Sequence, residues 1–470
     1  MHDFYLYNSA SLEIEKFIPI KKGKVSIYTC GPTVYNTAHI GNFRTYILSD
    51  FLVRALMYMG YSVKHVMNIT DVGHLAGDGD SGVDKVESEA IKGNTTAEKI
   101  AGKYTKEFIN DMCLLNFIEP TKMPKASKHI QEQIDIIKIL EKKGYTYKTS
   151  DGIYFDTSKY KNYATLAHQN LEELQEGARV DVNKDKKNPT DFALWKFSAS
   201  GAESRLQEWK SPWGIGFPGW HIECSAMSTK YLGQPFDIHV GGEDLLFPHH
   251  TNEQAQSFCA HNKNLANYWV HGRFLNIKAK KMAKSTGNFL TLEDVTNRGF
   301  EPLALRYYYM TSNYRSPMQF TWGSLEASQV GLNNLRKTLR RWKAKGNVKN
   351  VPRELDEKFI EALCDNLNLP KALAVVWGLT KGTTYKAEQK KAAVLKWDSV
   401  LGLGLTEYLK KGKKRKRAYI PKDVRALVTK RENYRKDQRF EKGDEIRLKI
   451  EERGFTIEDT EHGPLVLKKV

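Results

Sequence analysis

The 470-residue sequence predicts an α/β protein: a doubly wound parallel sheet split by an inserted module, then a helical bundle and a small C-terminal domain. Three observations predict it. Lys24–Ile69 reads as strand, loop, helix, strand. A second set of strand and helix segments runs from about Phe217 to Ile277. Beyond Leu292 the spacing of apolar residues is almost wholly helical.

Taken in order, Asp3–Ile20 reads as a short hairpin leading into the first strand of the sheet. That strand, Lys24–Thr29, alternates its side chains, with Val25 and Ile27 on one face. Phe43, Ile47, Leu48, Phe51, Leu52, Ala55, Leu56 and Met59 then fall at helical spacing, and Gly60 supplies the left-handed stop. The strand Ser62–Ile69 ends at Thr70 and Asp71. Gly73–Asp84 is rich in Gly and Asp and reads as a loop. Helices are expected over Ala97–Asn116 and Ser127–Lys143, the second closed by Gly144. Short strands and long polar loops from Tyr145 to about Lys210 form the inserted module.

In the second half, Cys224 lies early in a helix ending at Gly233. The strand Phe236–Val240 enters the turn Gly241-Gly242-Glu243-Asp244. Pro248 is expected to open the next helix, and Tyr268–Ile277 to form one further strand. Helices follow over Leu325–Lys343, Glu354–Leu369 and Lys371–Leu379. The tail from Val424 to Val470 reads as two helices and a short Pro-containing strand.

With 73 basic against 55 acidic side chains, the net charge is +18. An excess of that size favours a polyanionic partner, nucleic acid first, over a merely solvated surface. Seven basic residues crowd Lys410–Arg417, either a solvated linker or a contact with an RNA backbone. Met1–Ile20 lacks the apolar core of a signal peptide, and no apolar run approaches the roughly 18 residues that span a bilayer. Five scattered cysteines argue against a disulfide framework, so the expected compartment is the reducing cytoplasm.

Chemistry concentrates in three places. Cys30–Asn42 follows the first strand, where a helix N-terminus offers unpaired N–H groups to an anion. There a phosphate can approach the backbone at Gly41 while His39 and Asn42 donate to it. His249 and Glu253, four apart, share a helix face, and zinc is commonly held by such a pair with thiolates from elsewhere. Cys30 and Cys224 both fall beside the crevice of a doubly wound sheet, although spacing alone does not establish a site. Cys113, Cys259 and Cys364 have no partners at ligand spacing. Lys278–Asn288 sets four lysines around a Ser/Thr/Gly turn, a cationic loop suited to a triphosphate.

His39-Ile40-Gly41-Asn42 resembles the HIGH signature of class I aminoacyl-tRNA synthetases, and Lys281-Met282-Ala283-Lys284-Ser285 the KMSKS signature. The agreement continues in order along nearly the whole chain. It runs through Tyr28–Asn36, Asn68–Asp71, Gly219–Ser225, Asp237–His239, Gly241–Leu245, Phe247–Glu253 and Asp365–Pro370. In the tail it reappears at Lys436-Asp437 and Glu458–Thr460. In sum the chain resembles cysteinyl-tRNA synthetases. The inserted module and the basic run match least.

The resemblance implies a Rossmann-like catalytic domain that joins cysteine to tRNA(Cys) at the expense of ATP with magnesium. It implies one zinc per chain on Cys30, Cys224, His249 and Glu253, meeting the thiolate of a substrate that Cys30, Thr70 and Trp220 line. Gly31, Thr33, His39, Gly41, Asn42 and Asp244 would hold ATP, and Lys281, Lys284 and Ser285 its phosphates. The implied units are 1–115 and 214–277 for the catalytic halves and 116–213 for the connective module. The KMSKS-type loop and stem fall in 278–318, a tRNA-binding helical bundle in 319–408, and the basic linker with an anticodon-binding domain in 409–470. A cytoplasmic monomer is expected. The chain departs from the signatures at Asn42, which cannot carry charge, at Ala283, which lacks a hydroxyl, and at Val72-Gly73-His74-Leu75. Two rivals share the catalytic half: a ligase coupling cysteine to an amino-sugar, and an inactive RNA-binding paralogue.

Overall fold

The computed structural model describes residues 2–73, 85–169, 185–198, 206–277, 280–281, 289–342, 351–410, 420–460 and 463–468. The N-terminal hairpin pairs β1 (Tyr5–Asn8) with β2 (Glu13–Lys16). A four-stranded parallel sheet follows, from β3 (Lys24–Thr29), β4 (Ser62–Met67), β10 (Phe236–Gly242) and β11 (Ala266–Gly272). Its spatial order is β11-β10-β3-β4. Chain direction across the sheet therefore reverses between β3 and β10, and the crevice at their carboxyl ends is where an open α/β sheet places a ligand.

Helix α1 (Ile40–Tyr58) returns from β3 to β4 with Phe43, Ile47, Leu48, Phe51, Leu52, Ala55 and Leu56 in the core. Gly60 sits at φ 91°, as its place after the helix requires. Between β4 and β10 lie α2 (Lys85–Lys92), α3 (Ala97–Leu114) and α4 (Ile130–Lys142). A five-stranded antiparallel sheet comes next: β5 (Thr146–Lys148), β6 (Gly152–Phe155), β7 (Phe192–Phe197), β8 (Trp209–Ser211) and β9 (Gly214–Pro218). Its apolar core, around Ile137, Phe155, Leu194 and Trp195, is shared with α4 and with Ile222, Ala226, Ala255 and Cys259 from the second half. Helices α5 (Trp220–Leu232) and α6 (Thr251–His261) cover the second half of the parallel sheet.

Three expectations are corrected. Tyr268–Ile277 is not one strand, since β11 ends at Gly272 and β12 (Leu275–Ile277) joins a separate small sheet with β13 (Lys280–Lys281) and β14 (Met318–Phe320). At the break, side chains take the backbone groups: Phe274 N donates to Glu243 Oε1 at 2.6 Å and Arg44 donates to Phe274 O at 2.6 Å. Nor does Pro248 open a regular helix. Phe247 is extended (φ −135°, ψ 131°), because a residue before proline is excluded from the α region, and α6 begins at Thr251. Glu354–Leu369 is likewise interrupted. The positive φ of Asn366 and Leu367 separates one helix over Arg353–Cys364 from the next over Leu369–Lys381, and the Asn366 side chain accepts from Tyr7 N at 2.9 Å and Tyr314 Oη at 2.6 Å.

Those helices belong to a series that runs α7 (Leu292–Asn297), α8 (Pro302–Tyr309), α9 (Trp322–Arg341), α10 (Arg353–Cys364) and α11 (Leu369–Lys381). It continues as α12 (Ala387–Leu401) and α13 (Leu405–Lys410). A buried ionic cluster fastens α1 to this series. Asp50, 2% exposed, accepts from Arg54 Nε at 2.7 Å and also pairs with Arg306. Arg306 Nε donates to Leu401 O at 2.7 Å, and Arg54 donates to Ser399 O at 2.8 Å. Burial opposes the Asp50 charge, but Arg306 and then Arg54 outweigh it and hold the carboxyl below the usual range. Asp50→Ala would strand two buried guanidinium groups, so we expect it to destabilise the protein by about 3–5 kcal/mol. Denaturant unfolding measures this, and a loss under about 1 kcal/mol would refute it.

The tail packs α14 (Lys422–Lys436), α15 (Phe440–Glu452) and the hairpin β15 (Phe455–Thr460)–β16 (Gly463–Lys468) around Val424, Ile446, Ile450, Ile457 and Val466. Arg431, fully buried, forks onto Asp459 at 2.8 and 2.9 Å. All five cysteines are free thiols. No helix among the described residues is long and apolar enough to cross a membrane.

Candidate active site and metal centre

The crevice at the switch point is floored by four side chains from three segments. Cys30 directly follows β3, Cys224 sits in α5, His249 comes from the turn into α6, and Glu253 from the first turn of α6. Their ligand atoms all lie within 4.8 Å of one another and all four are buried. The Cys30–Cys224 sulfurs are 3.9 Å apart, Cys30 Sγ is 3.6 Å from Glu253 Oε1, and His249 Nε2 is 3.0 Å from the same oxygen. Bonds of roughly 2.0–2.3 Å to a tetrahedral zinc put ligand atoms about 3.3–3.8 Å apart, so the spacing and the donor chemistry both fit that ion. A second set, Cys30, His239, His250 and Glu253, meets the same distance test.

Charge is shared across this floor. Burial raises the Cys30 thiol, whereas burial of Cys224 is overcome by hydrogen bonds to Cys30 and His249 that bring it down. His249 is raised against its burial by Glu253 and Cys224. Glu253 is lowered against its burial by His239 and His249. Cys224 and Glu253 are favoured in their charged forms by the same neighbours that favour a proton on His249, so a metal taking this place would displace that proton.

Around the floor stands a ring of histidines that sequence reading missed. His221 Nδ1 lies 2.9 Å from His249 Nδ1, and His239 Nε2 lies 3.0 Å from Glu253 Oε2. His250 Nε2 lies 3.3 Å from Cys30 Sγ, and its Nδ1 is 2.8 Å from His271 Nε2, whose own Nδ1 meets Ser9 Oγ at 2.8 Å. These orient the candidate ligands as outer partners do at metal sites. No spacing rule pointed to them, because they come from four segments.

Trp220, the first residue of α5, lays its ring 4.3 Å from that of His249. Thr70 reaches the crevice from the other side, its N donating to Pro32 O at 3.0 Å and its O accepting from Val34 N at 3.1 Å. Thr33 and Thr70 are bridged. Gly31 approaches Asn68 so closely that a Cβ would stand 1.7 Å from Asn68 O, so only glycine fits.

The mouth of the crevice is the N-terminus of α1. His39 and Asn42 cap each other: Asn42 N donates to His39 Nδ1 at 3.1 Å, and His39 N donates to Asn42 Oδ1 at 3.1 Å. The sequence had Asn42 only as a donor to phosphate. Its amide oxygen is occupied by the cap, which leaves Nδ2 for that use. With no acidic residue in the first turn, the helix N-terminus stays electropositive around Gly41. Opposite, Gly242 and Gly272 are paired in register at the ends of β10 and β11. A Cβ on Gly242 would stand 2.4 Å from Asp244 Oδ1 and one on Gly272 3.3 Å from Leu48 Cδ2, so the two strand ends lie close against the Asp244 turn and α1. Asp244 is exposed just beyond the end of β10, in the single turn Glu243–Leu245.

Lys281 ends β13, opposite Asn276. Lys284 and Ser285 lie outside the described residues, as do His74–Asp84 and all of the basic run except Lys410. Just beyond the lysine loop the chain returns to the crevice: Ile40 N donates to Leu290 O at 2.8 Å, and Thr291 bridges His39.

Residues 16–330 match the family profile for the tRNA synthetases class I (C) catalytic domain. A cysteine–tRNA ligase of Burkholderia lata is 47% identical over 459 residues, spanning 97% of this chain and 95% of the relative. One from Treponema denticola is 42% identical over 479 residues, covering 97% of both chains. A solved methionyl-tRNA synthetase of Mycobacterium tuberculosis, in complex with methionyl-adenylate, shares the fold (TM-score 0.58) at 14% identity. That match covers 82% of this chain and 93% of the other. The chain belongs to the cysteinyl-tRNA synthetase family, within the class I aminoacyl-tRNA synthetases.

Proposed function

We propose that the protein activates L-cysteine with ATP and transfers the cysteinyl group to the 3′ end of tRNA(Cys). One observation carries the reading: a buried set of two thiols, an imidazole and a carboxylate at the floor of the same crevice whose mouth is the capped N-terminus of α1. A thiol-seeking floor and a phosphate-seeking mouth in one trough suit a cysteine placed in line with a triphosphate.

In this reading no side chain acts as nucleophile. An oxygen of the substrate carboxylate attacks the α-phosphate, the bond to the bridging oxygen breaks, and pyrophosphate leaves with its magnesium. A terminal ribose hydroxyl of the tRNA then attacks the carbonyl carbon and releases AMP. The chain supplies alignment and charge stabilisation. His39 donates through Nε2, because Nδ1 is occupied by the cap; Gly41 and Asn42 present backbone and amide N–H groups. Gly31, Thr33, Gly242 and Asp244 line the nucleotide trough. Lys281, Lys284 and Ser285 meet the charge that builds as pyrophosphate departs. Thr70 and Trp220 shape the amino-acid pocket.

Cys30, Cys224, His249 and Glu253 would hold the metal, favoured over the set with His239 and His250 because two thiolates suit zinc. Bound there, zinc supplies a Lewis acid that takes the substrate sulfur as thiolate. His239 and His250 then serve to orient the Glu253 carboxylate and Cys30. We read residues 319–408 as a tRNA-binding bundle and 409–470 as the anticodon-binding part, in a cytoplasmic monomer.

Cysteine-dependent ATP–pyrophosphate exchange, assayed with and without tRNA, tests the reading against its two rivals. The inactive paralogue shows no exchange, and the amino-sugar ligase exchanges but does not charge tRNA. Removing the chain beyond Leu405 should spare exchange and weaken charging at least tenfold. The full chain's tRNA affinity should fall steeply between 50 and 200 mM salt, as released counterions require. Equal charging by the shortened chain would make the tail merely structural.

A further inference from the structure

Asn68 stands at the end of β4, 1% exposed, with no part in the reaction as set out above. Its side chain nevertheless joins two walls of the crevice. Oδ1 accepts from Gly31 N at 2.8 Å and Nδ2 donates to Thr70 Oγ1 at 3.0 Å. The orientation of this amide is fixed by its partners. A backbone N–H only donates, so the atom facing Gly31 is the oxygen, and the atom left for Thr70 is the NH2, which also only donates. The Thr70 oxygen is thus an acceptor in this bond, and its single hydrogen must point elsewhere. Among the described residues no protein acceptor takes it. Main-chain bonds to Pro32 and Val34 hold the Thr70 backbone against the Gly31 side of the crevice.

We propose that Asn68 is a positioning residue that commits the Thr70 hydroxyl to donate to an anionic atom of the amino-acid substrate, its carboxylate or its sulfur. The same amide ties the Cys30–Gly31 peptide to that wall, so the floor and the Thr70 donor keep one spacing. The proposal rests on reading Thr70 as a residue of the cysteine pocket.

Asn68→Asp tests it. Aspartate keeps an acceptor for Gly31 N–H but has no hydrogen to give, so Thr70 must turn its own hydrogen onto residue 68 and away from substrate. In pyrophosphate exchange we expect the KM for cysteine to rise about ten- to a hundredfold, the range of a hydrogen bond to a charged group. The KM for ATP and the metal content should stay unchanged. Thr70→Val should match it, Thr70→Ser should stay near wild type, and N68D added to T70V should cost nothing more. If T70V raises the KM and N68D does not, or if the two effects multiply, the proposal is wrong and the pocket reading stands. If T70V leaves the KM unchanged, the pocket reading falls and the proposal with it. Should the buried carboxylate of N68D prevent folding, Asn68→Ala removes the same donor, and its coupling to T70V decides the question.

Discussion

Cys224→Ala and His249→Ala will each give a folded protein without its metal, with cysteine-dependent pyrophosphate exchange lowered at least about a thousandfold. Outer partners of a metal commonly cost about 10–100-fold in affinity or activity, and in the proposed site these two residues bind the metal directly. Neither change should unfold the chain. Cys224 and His249 are buried, but the surrounding core is built on Tyr28, Val66, Met227, Phe236 and Trp269, which both variants keep. The two variants also separate causes. C224A removes a thiolate and leaves the Glu253 carboxylate paired with His239 and His249. H249A removes one of the two histidines that hold that carboxylate charged. Both should lose zinc by metal analysis. Only H249A should leave Glu253 easier to protonate. His221→Ala and His239→Ala should weaken metal retention by roughly ten- to a hundredfold and leave measurable exchange. Full exchange from a metal-free preparation would remove the metal from the reaction altogether.

How far the sequence led depends on how local each feature is. The strand, helix and strand from Lys24 to Met67 were legible because alternation, helical spacing and Gly60 act within a few residues of one another. The pairing of His249 with Glu253 was legible for the same reason, although the turn carrying His249 is irregular. Cys30 and Cys224 are 194 positions apart, and periodicity has nothing to say about such a pair. Only ordered resemblance along the chain brought them into one set. The outer histidines escaped because they come singly from four segments, which no local spacing connects. The break after Gly272 escaped because the groups that satisfy Phe274, from Glu243 and Arg44, are distant in sequence. A strand pattern reports what the backbone prefers, not which side chains will capture it.

The capped histidine shows a subtler loss. The sequence suggested that His39 and Asn42 both address phosphate, which their positions allow. Reciprocal capping adds that neither is free to move separately. A substitution at Asn42 will therefore disturb His39 before it disturbs any ligand. This mutual support also explains how asparagine stands where the signature has histidine: the cap needs an oxygen or nitrogen acceptor at that position, and the Asn42 amide supplies it.

Discrimination against serine should exceed four orders of magnitude in kcat/KM and should occur at activation. Serine differs from cysteine by one atom, and an apolar pocket rejects such an isostere by only about a hundredfold. This floor is not apolar. It offers two sulfurs, a carboxylate and an imidazole within 4.8 Å, a set that suits a borderline-soft ion. A cysteine thiol ionises near a pKa of about 8.5 and lower still beside a metal, whereas a serine hydroxyl is far harder to ionise and a poorer partner. Serine would also leave the floor's polar groups without their match, which is the situation in which sites reach 10⁴–10⁵-fold rejection without a second sieve. Rejection of that size at activation leaves no need for a second, hydrolytic sieve. We therefore expect no hydrolysis of mischarged Ser-tRNA by this chain. The decisive measurement is the ratio of kcat/KM for cysteine- and serine-dependent pyrophosphate exchange, taken alongside the deacylation rate of Ser-tRNA(Cys). A ratio near a hundred, or rapid clearance of the mischarged tRNA, would show that selection rests on something other than this floor.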